Sequence, residues 1–327
     1  MGLRCQILIE QPKEKKHIIG QSIIGILRYT LNRPIQIKKI SVVLVGQGRT
    51  EWICQKKSSS KDSVRPTKHI GNDRVYVEKN ILDNATQNLT IPEGTYEHPF
   101  EIELPLNIPP SVKTEACEIT YFLAIKFEKP TLRQSLRRYR SQNIKLFANI
   151  PEAIQEQAIS FGFEKNIIDF AKLFSRHKRK QVVRLNATLE NAYLVSGKET
   201  RISFEVANES DIVVGVRTEI LCKTTYRDGA GNEKSSEATL KELRTPDVPV
   251  KSVANMFSVI PVWSDLFTVR YSKVMTRNYR LKVTLKTPLP HTNQSIEIPI
   301  SIGERFSDEE LATMGQIISD WEMLIKG

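Results

Sequence analysis

The chain has 327 residues and a formal net charge of +11. That length allows one to three domains and a sizeable core, and the charge favours an acidic partner: nucleic acid, an anionic membrane leaflet, or a phosphorylated or acidic peptide. Cys5, Cys54, Cys117 and Cys222 stand far apart with no CxxC pair, which argues against zinc and suits a reducing compartment.

The N-terminus runs straight into an apolar strand. It has no signal-peptide h-region, and no run of about 18 apolar residues follows anywhere, so neither a leader nor a spanning helix is expected. Gly2 invites myristoylation, but Gln6 stands where that motif takes Ser or Thr.

In chain order, Cys5 to Glu10 reads as a short strand and Gln11 to Lys16 as a basic turn. Gly20 to Thr30 is an apolar run with a bulge expected at Gly25. In Ile35 to Gly46, Ile40, Val42 and Leu44 alternate, and the alternation continues to Thr50, Trp52 and Cys54. Lys56 to Lys68 is rich in serine and lysine and reads as an exposed loop; Val75 to Leu82 is a strand.

Ile91 to Lys129 is the most informative stretch. Pro92-Glu93-Gly94 is a turn, and His98 to Leu104 alternates apolar and charged residues. Pro105, Pro109 and Pro110 stop that strand, because proline offers no N–H to a ladder. Ile119, Tyr121, Leu123, Ile125 and Phe127 then share one face. A proline-braced link between two strands suits a chain crossing between packed sheets. Ser141 to Ile150 closes this half.

Glu152 to Phe174 has apolar residues at spacings of three and four, including Ile154, Ala158, Ile159 and Phe161, which predicts one amphipathic helix or two broken near Gly162. Arg176 to Lys180 ends it with charges suited to a helix C-terminus.

From Val182 to Gly303 the chain reads as strands again: Val182–Glu190, Thr200–Ala207, Val213–Thr225, Met256–Pro261, Thr268–Val274, Tyr279–Leu285 and Ser295–Ile302. Turns separate them at Ser196-Gly197, Asn208-Glu209-Ser210, Asp228 to Gly231 and Pro288 to Pro290. Regular short strands without intervening helices predict a sandwich. In the tail, Ser307 and Glu310 form a capping box ahead of an apolar face that includes Leu311, Met314 and Trp321, so a C-terminal helix is expected.

The sequence resembles the alpha-arrestins, the arrestin domain-containing proteins. The residues that carry this are Ile37 to Trp52; Pro92-Glu93-Gly94 followed by His98-Pro99-Phe100, Leu104-Pro105 and Pro109-Pro110-Ser111; and Ile119-Thr120-Tyr121. In the second half they are Ala192 to Glu199, with Lys198 inserted between Gly197 and Glu199, Val206 to Ser210, and Ile298 to Gly303. The resemblance implies an all-β fold of two consecutive arrestin-like β-sandwiches, residues 1–150 and 182–303; the periodicity adds a helical basic insert at 151–181, a departure from the family's usual short link, and an amphipathic helix at 304–327. The resemblance also implies a non-enzymatic adaptor or scaffold without a cofactor. Such an adaptor is cytoplasmic and peripheral at the plasma membrane or endosomes. It binds cytoplasmic tails of membrane cargo and recruits ubiquitin-ligase or clathrin-adaptor machinery. Relatives dock ligases through PPxY motifs, and this sequence has none: Val112 follows Pro109-Pro110-Ser111 where tyrosine is needed.

No G-x-S-x-G elbow and no H-E-x-x-H occurs, and His17, His69, His98, His177 and His291 are scattered. Three basic clusters are candidates for acidic, phosphorylated or lipid contacts: Lys13, Lys15, Lys16 with Arg28; Arg133, Arg137, Arg138, Arg140; and Arg176, Lys178, Arg179, Lys180. Each also reads as a solvated loop or helix end. The apolar-faced insert has two readings as well, lying on a membrane or packing on the sandwiches. Asp320 to Ile325 fits the acidic dileucine pattern through Asp320, Leu324 and Ile325, or those leucine and isoleucine side chains are core. Aromatics are not interleaved with the basic runs, so nucleic acid is not an expected partner.

Overall fold

A computed structural model describes residues 3–12, 15–57, 64–83, 89–128, 137–150, 158–168 and 181–305. The described chain is all strand, turn and loop, and divides into two compact units. Unit 1 is Met1–Ala148 with Lys223–Glu237 and Thr268–Asn278; unit 2 is Asn149–Cys222, Ala238–Phe267 and Tyr279–Gly327.

The strands of unit 1 are β1 (Leu3–Ile9), β2 (His17–Ile18), β3 (Ser22–Leu31), β4 (Ile35–Ile37), β5 (Lys39–Lys57), β6 (Val64–Asp83), β7 (Leu89–Ile91), β8 (Gly94–Glu103), β9 (Val112–Lys113), β10 (Cys117–Glu128), β11 (Arg137–Ile144) and β12 (Leu146–Phe147). One sheet runs β1-β3-β8 and another β11-β10-β5-β6, with β9 on β10; β12-β2 and β4-β7 are short pairs. The alternating patterns bury Ile23, Leu27 and Tyr29 of β3, Ile102 of β8, and Tyr121, Leu123 and Ile125 of β10. At about 25 cal/mol per Å² of apolar surface, burial of this set is the main favourable contribution to the unit.

The C-terminal end of the proline link is fastened twice. The buried hydroxyl of Tyr121 donates to the Pro109 carbonyl at 2.6 Å. Leu146 donates its N–H to the Ser111 hydroxyl at 2.9 Å, and the Ser111 N–H donates to the Leu146 carbonyl at 2.9 Å. Glu78 of β6 is surrounded by donors: Ser41 at 2.8 Å, Tyr76 at 3.0 Å, Lys39 at 3.0 Å and Lys126 at 3.3 Å. Burial pushes its carboxyl pKa up, but the hydrogen bonds from Ser41, Lys39, Tyr76 and Lys126 outweigh that and hold it at about 2.

Unit 2 is built from β13 (Ile159–Ile167), β14 (Gln181–Leu189), β15 (Tyr193–Val195), β16 (Glu199–Asn208), β17 (Gly215–Arg227), β18 (Glu233–Arg244), β19 (Ser252–Pro261), β20 (Met275–Lys286) and β21 (Gln294–Gly303), the outer ends of β17, β18 and β20 counting with unit 1. Its sheets run β13-β14-β16-β19 and β15-β21-β20-β17-β18. Val183, Leu185, Ile202, Phe204, Leu281 and Val283 lie in one core between them. Asn208, buried at the end of β16, donates from Nδ2 to the carbonyls of Ile212 and Pro249, both at 2.8 Å, and accepts from the Ser210 hydroxyl at 2.6 Å.

Several expectations are corrected. The helix expected across the insert is a strand over Ile159–Ile167, paired antiparallel with β14 from Ile159↔Leu189 to Ile167↔Gln181. A two-residue period fits it better: Phe161, Phe163, Lys165 and Ile167 alternate with the outward Ser160, Gly162, Glu164 and Asn166. The bulge expected at Gly25 is absent, because that residue pairs in register with both Ile9 and Phe100. Glycine is needed there for another reason, since a Cβ would collide with the Leu8 carbonyl oxygen. Lys56–Lys68 is strand at both ends, within β5 and β6. Thr268–Val274 is not a strand, and β18 is one that its sequence does not announce. Residues 151–157 and 169–180 of the insert, and the tail helix expected at 304–327 beyond Arg305, lie outside the described residues.

Candidate functional site

Two places in unit 1 gather side chains with recognition chemistry. The first is built on β2 and β12. These short strands pair in parallel, His17 opposite Leu146 and Ile18 opposite Phe147, and the Ile19 N–H donates to the Phe147 carbonyl at 3.1 Å. A turn closed by the Lys15 N–H on the Pro12 carbonyl, with Lys15 at φ 57°, brings the chain into β2. The Lys16 ammonium lies 5.6 Å and the Lys145 ammonium 4.8 Å from the centre of the Phe147 ring. A phenyl face attracts cations without neutralising them, so the ring gathers positive charge. Burial lowers the His17 pKa, so the imidazole is neutral at pH 7 and the lysines supply the charge.

Of the first basic cluster, Lys15 and Lys16 are therefore at this place. Arg28 is ion-paired with Glu97 across β3 and β8 at 2.6 Å; Lys13 lies outside the described residues. Lys145 belongs to the group and was not legible as such, because its partner strand is remote in sequence. Arg137, Arg138 and Arg140 sit on β11 opposite Phe127, Lys126 and Ala124 of β10. Arg133, Arg176, Lys178, Arg179 and Lys180 lie outside the described residues, as do Asp320, Leu324 and Ile325 of the dileucine pattern.

The second place is the row His69, Gly71, Asp73 on one face of β6. His69 stacks on its cross-strand partner Trp52, ring centres 5.1 Å apart and 9° from parallel. Its Nδ1 is 2.8 Å from Oδ2 of Asp228, and the two side chains are only 8% and 6% exposed. The His69 hydrogen bond, with further ones from Asn232 and Ala230, holds the Asp228 carboxyl well below the usual range, so it is an acceptor and Nδ1 of His69 is the donor. Gly71 leaves room for the Arg227 carbonyl, which a Cβ would meet head-on, and the Gly229 N–H donates to the Ile70 carbonyl at 3.0 Å. Asp73 accepts from the Ser272 hydroxyl at 3.2 Å and the Lys273 N–H at 2.8 Å. One strand face thus anchors both segments that join unit 1 from the second half of the chain.

Among the described residues no group of three or more His, Cys, Asp or Glu is placed to hold a metal ion. No helix among them is long and apolar enough to cross a membrane.

The described residues form an all-β chain of paired-sheet units with no metal cage among them. Residues 5–152 match the arrestin (or S-antigen) N-terminal domain, and residues 179–305 match the arrestin (or S-antigen) C-terminal domain. The chain belongs to the arrestin family. It is similar to an arrestin domain-containing protein, C31A2.12, of Schizosaccharomyces pombe, at 30% identity over 125 residues, which is 37% of this chain. The aligned stretch spans 20% of that relative's length.

Proposed function

We propose that this chain is a non-enzymatic adaptor that binds acidic or phosphorylated cytoplasmic tails of membrane cargo for endocytic or endosomal trafficking. Arrestin domains suggest an adaptor or scaffold role in trafficking. The observation that carries the finer reading is the pair of ammonium groups, Lys16 and Lys145, gathered on Phe147. A phosphate group offers three strong acceptor oxygens and nearly two negative charges to such donors.

Fluorescence anisotropy with a phosphoserine-bearing acidic peptide and its unphosphorylated twin tests the reading. The phosphorylated peptide binds more tightly, and replacing both Lys16 and Lys145 with Ala weakens it at least about tenfold, equivalent to 1.4 kcal/mol. Equal binding of the two peptides, or no effect of the double variant, sinks it. Proximity labelling in cells identifies the cargo, and a return with no membrane or endosomal protein counts against the trafficking role. The alternative is a scaffold on anionic membrane acting through the basic clusters and the insert, whose expected helix is strand over Ile159–Ile167. It is favoured only if anionic vesicles bind the chain and replacing Arg176, Lys178, Arg179 and Lys180 with Glu abolishes that binding.

A further inference from the structure

Edge strands present unpaired backbone groups, and proteins commonly guard them with charge. The longer edges of this chain follow that habit. β8 carries Glu97 and Glu101, β13 carries Glu164 and Lys165, and β18 is charged from Glu233 to Arg244. β19 is the exception. It ends the sheet β13-β14-β16-β19, and its ten residues, SVANMFSVIP, contain no charge.

The ladder shows which groups are open. The Val262 N–H donates to the Lys198 carbonyl at 2.9 Å, and on the other side of β16 the Glu190 N–H donates to the Arg201 carbonyl. The antiparallel two-residue repeat then turns even-numbered residues of β19 toward β16, and the N–H and C=O of Val253, Asn255, Phe257 and Val259 toward the open edge. Those same residues carry the outward side chains: Val253 is 66%, Phe257 54% and Val259 42% exposed. Arg201 lies 3.9 Å over the Phe257 ring and leaves the strand edge open.

We propose that β19 is a self-association edge, pairing antiparallel with β19 of a second copy across a twofold axis. The open backbone row dictates an extended strand as the occupant. A chain of net charge +11 draws most partners by their acidity, and β19 offers no such handle, so it fits an uncharged strand, which β19 itself supplies. A twofold centred at Met256 sets Val253 against Val259 and Asn255 against Phe257, so every outward backbone group finds a partner. The cation next to β19 in sequence, Lys251, falls opposite Pro261 and is ion-paired with Asp211 at 2.8 Å, and Arg201, on the neighbouring strand β16, is held over its own chain's Phe257. No like charges meet, and an isologous contact of this kind closes at a dimer.

Sedimentation equilibrium of the full chain, up to about 100 µM, tests this. The wild type forms dimers, and added salt leaves them intact or favours them, because screening weakens the repulsion between two basic chains. Asn255→Pro removes an outward N–H and leaves the bonds to β16, so it weakens dimerisation at least about tenfold with an unchanged thermal midpoint. Should that variant fold poorly, two double variants take its place. Val253→Lys with Val259→Lys sets like charges across the axis and abolishes the dimer; Val253→Lys with Val259→Glu sets opposite charges and keeps it. A monomeric wild type, dimers that survive both Asn255→Pro and the Lys/Lys pair, equal loss in the two doubles, or growth beyond dimers overturns the proposal.

Discussion

His69 donates to Asp228 across 159 residues of sequence while lying flat on Trp52. The bond is the side-chain tie between β6 and a turn that the Gly229 N–H also fastens to Ile70, while the bonds from Ala230 and Asn232 to the same carboxylate are local. Removing the imidazole leaves those local bonds and deletes the anchor. His69→Ala is therefore expected to speed amide exchange at Gly229, whose N–H donates to Ile70, and to leave the centre of β10 protected. Unchanged protection at Gly229, measured by exchange and mass spectrometry, would contradict the anchoring role.

Glu78 gives the fold an acid limit. Its pKa falls from an ordinary 4.5 to about 2 on folding. A depressed carboxyl stabilises the fold above its unfolded value and loses that contribution as pH falls through the folded one. The loss therefore runs from about pH 4.5 down to about 2, and amounts to roughly 2 kcal/mol after allowance for screening. Glu78→Gln should lower stability at neutral pH and flatten this segment of a urea-midpoint profile against pH. A parallel profile in the variant would assign the acid sensitivity elsewhere.

Tyr121→Phe removes the hydroxyl that holds Pro109 and leaves that carbonyl without its buried donor. A loss of about 1–2 kcal/mol is expected in denaturant unfolding. The ring itself stays, so near-ultraviolet dichroism should change little. A neutral result would mean that the proline link stands by its own stiffness.

Asn208→Ala strips Ile212 and Pro249 of a donor and Ser210 of an acceptor in one buried place. The expected cost is about 3 kcal/mol, near the upper end for single substitutions. Ser210→Ala breaks the 2.6 Å bond and two long 3.4 Å bonds with Ile212, and should cost about 1 kcal/mol. Equal costs would show that the grip of the amide on the Ile212 and Pro249 carbonyls is not what matters.

How legible this molecule is in its sequence depends on how far apart the interacting residues lie. β3, β8 and β10 announce themselves because an apolar residue at every second position is a local property. β13 was obscured for a local reason too: Ala158 before it and Ile168 after it add apolar residues at helical spacing, and inward Lys165 interrupts the apolar row. β18 has a mostly exposed surface, so EKSSEATLKELR lacks the alternation that burial imposes. The candidate site was half visible. Lys15 and Lys16 stand out as charges in a turn, but Lys145 joins them only through a parallel pairing between strands some 130 residues apart. Nothing around His69 or Asp228 separately suggests the other.

The short parallel pair of β2 with β12 has a consequence during synthesis. His17 and Ile18 leave the ribosome early and wait for Leu146 and Phe147 before their strand pairing forms. The row on β6 waits longer, for Asp228 and then for Ser272 and Lys273. The first unit can therefore collapse around β3, β5 and β10 while its chain is still growing, but it reaches its final form only after most of the second has been translated. A nascent chain halted between these points carries a nearly finished sandwich with its anchoring face bare, and that is the species a chaperone would meet.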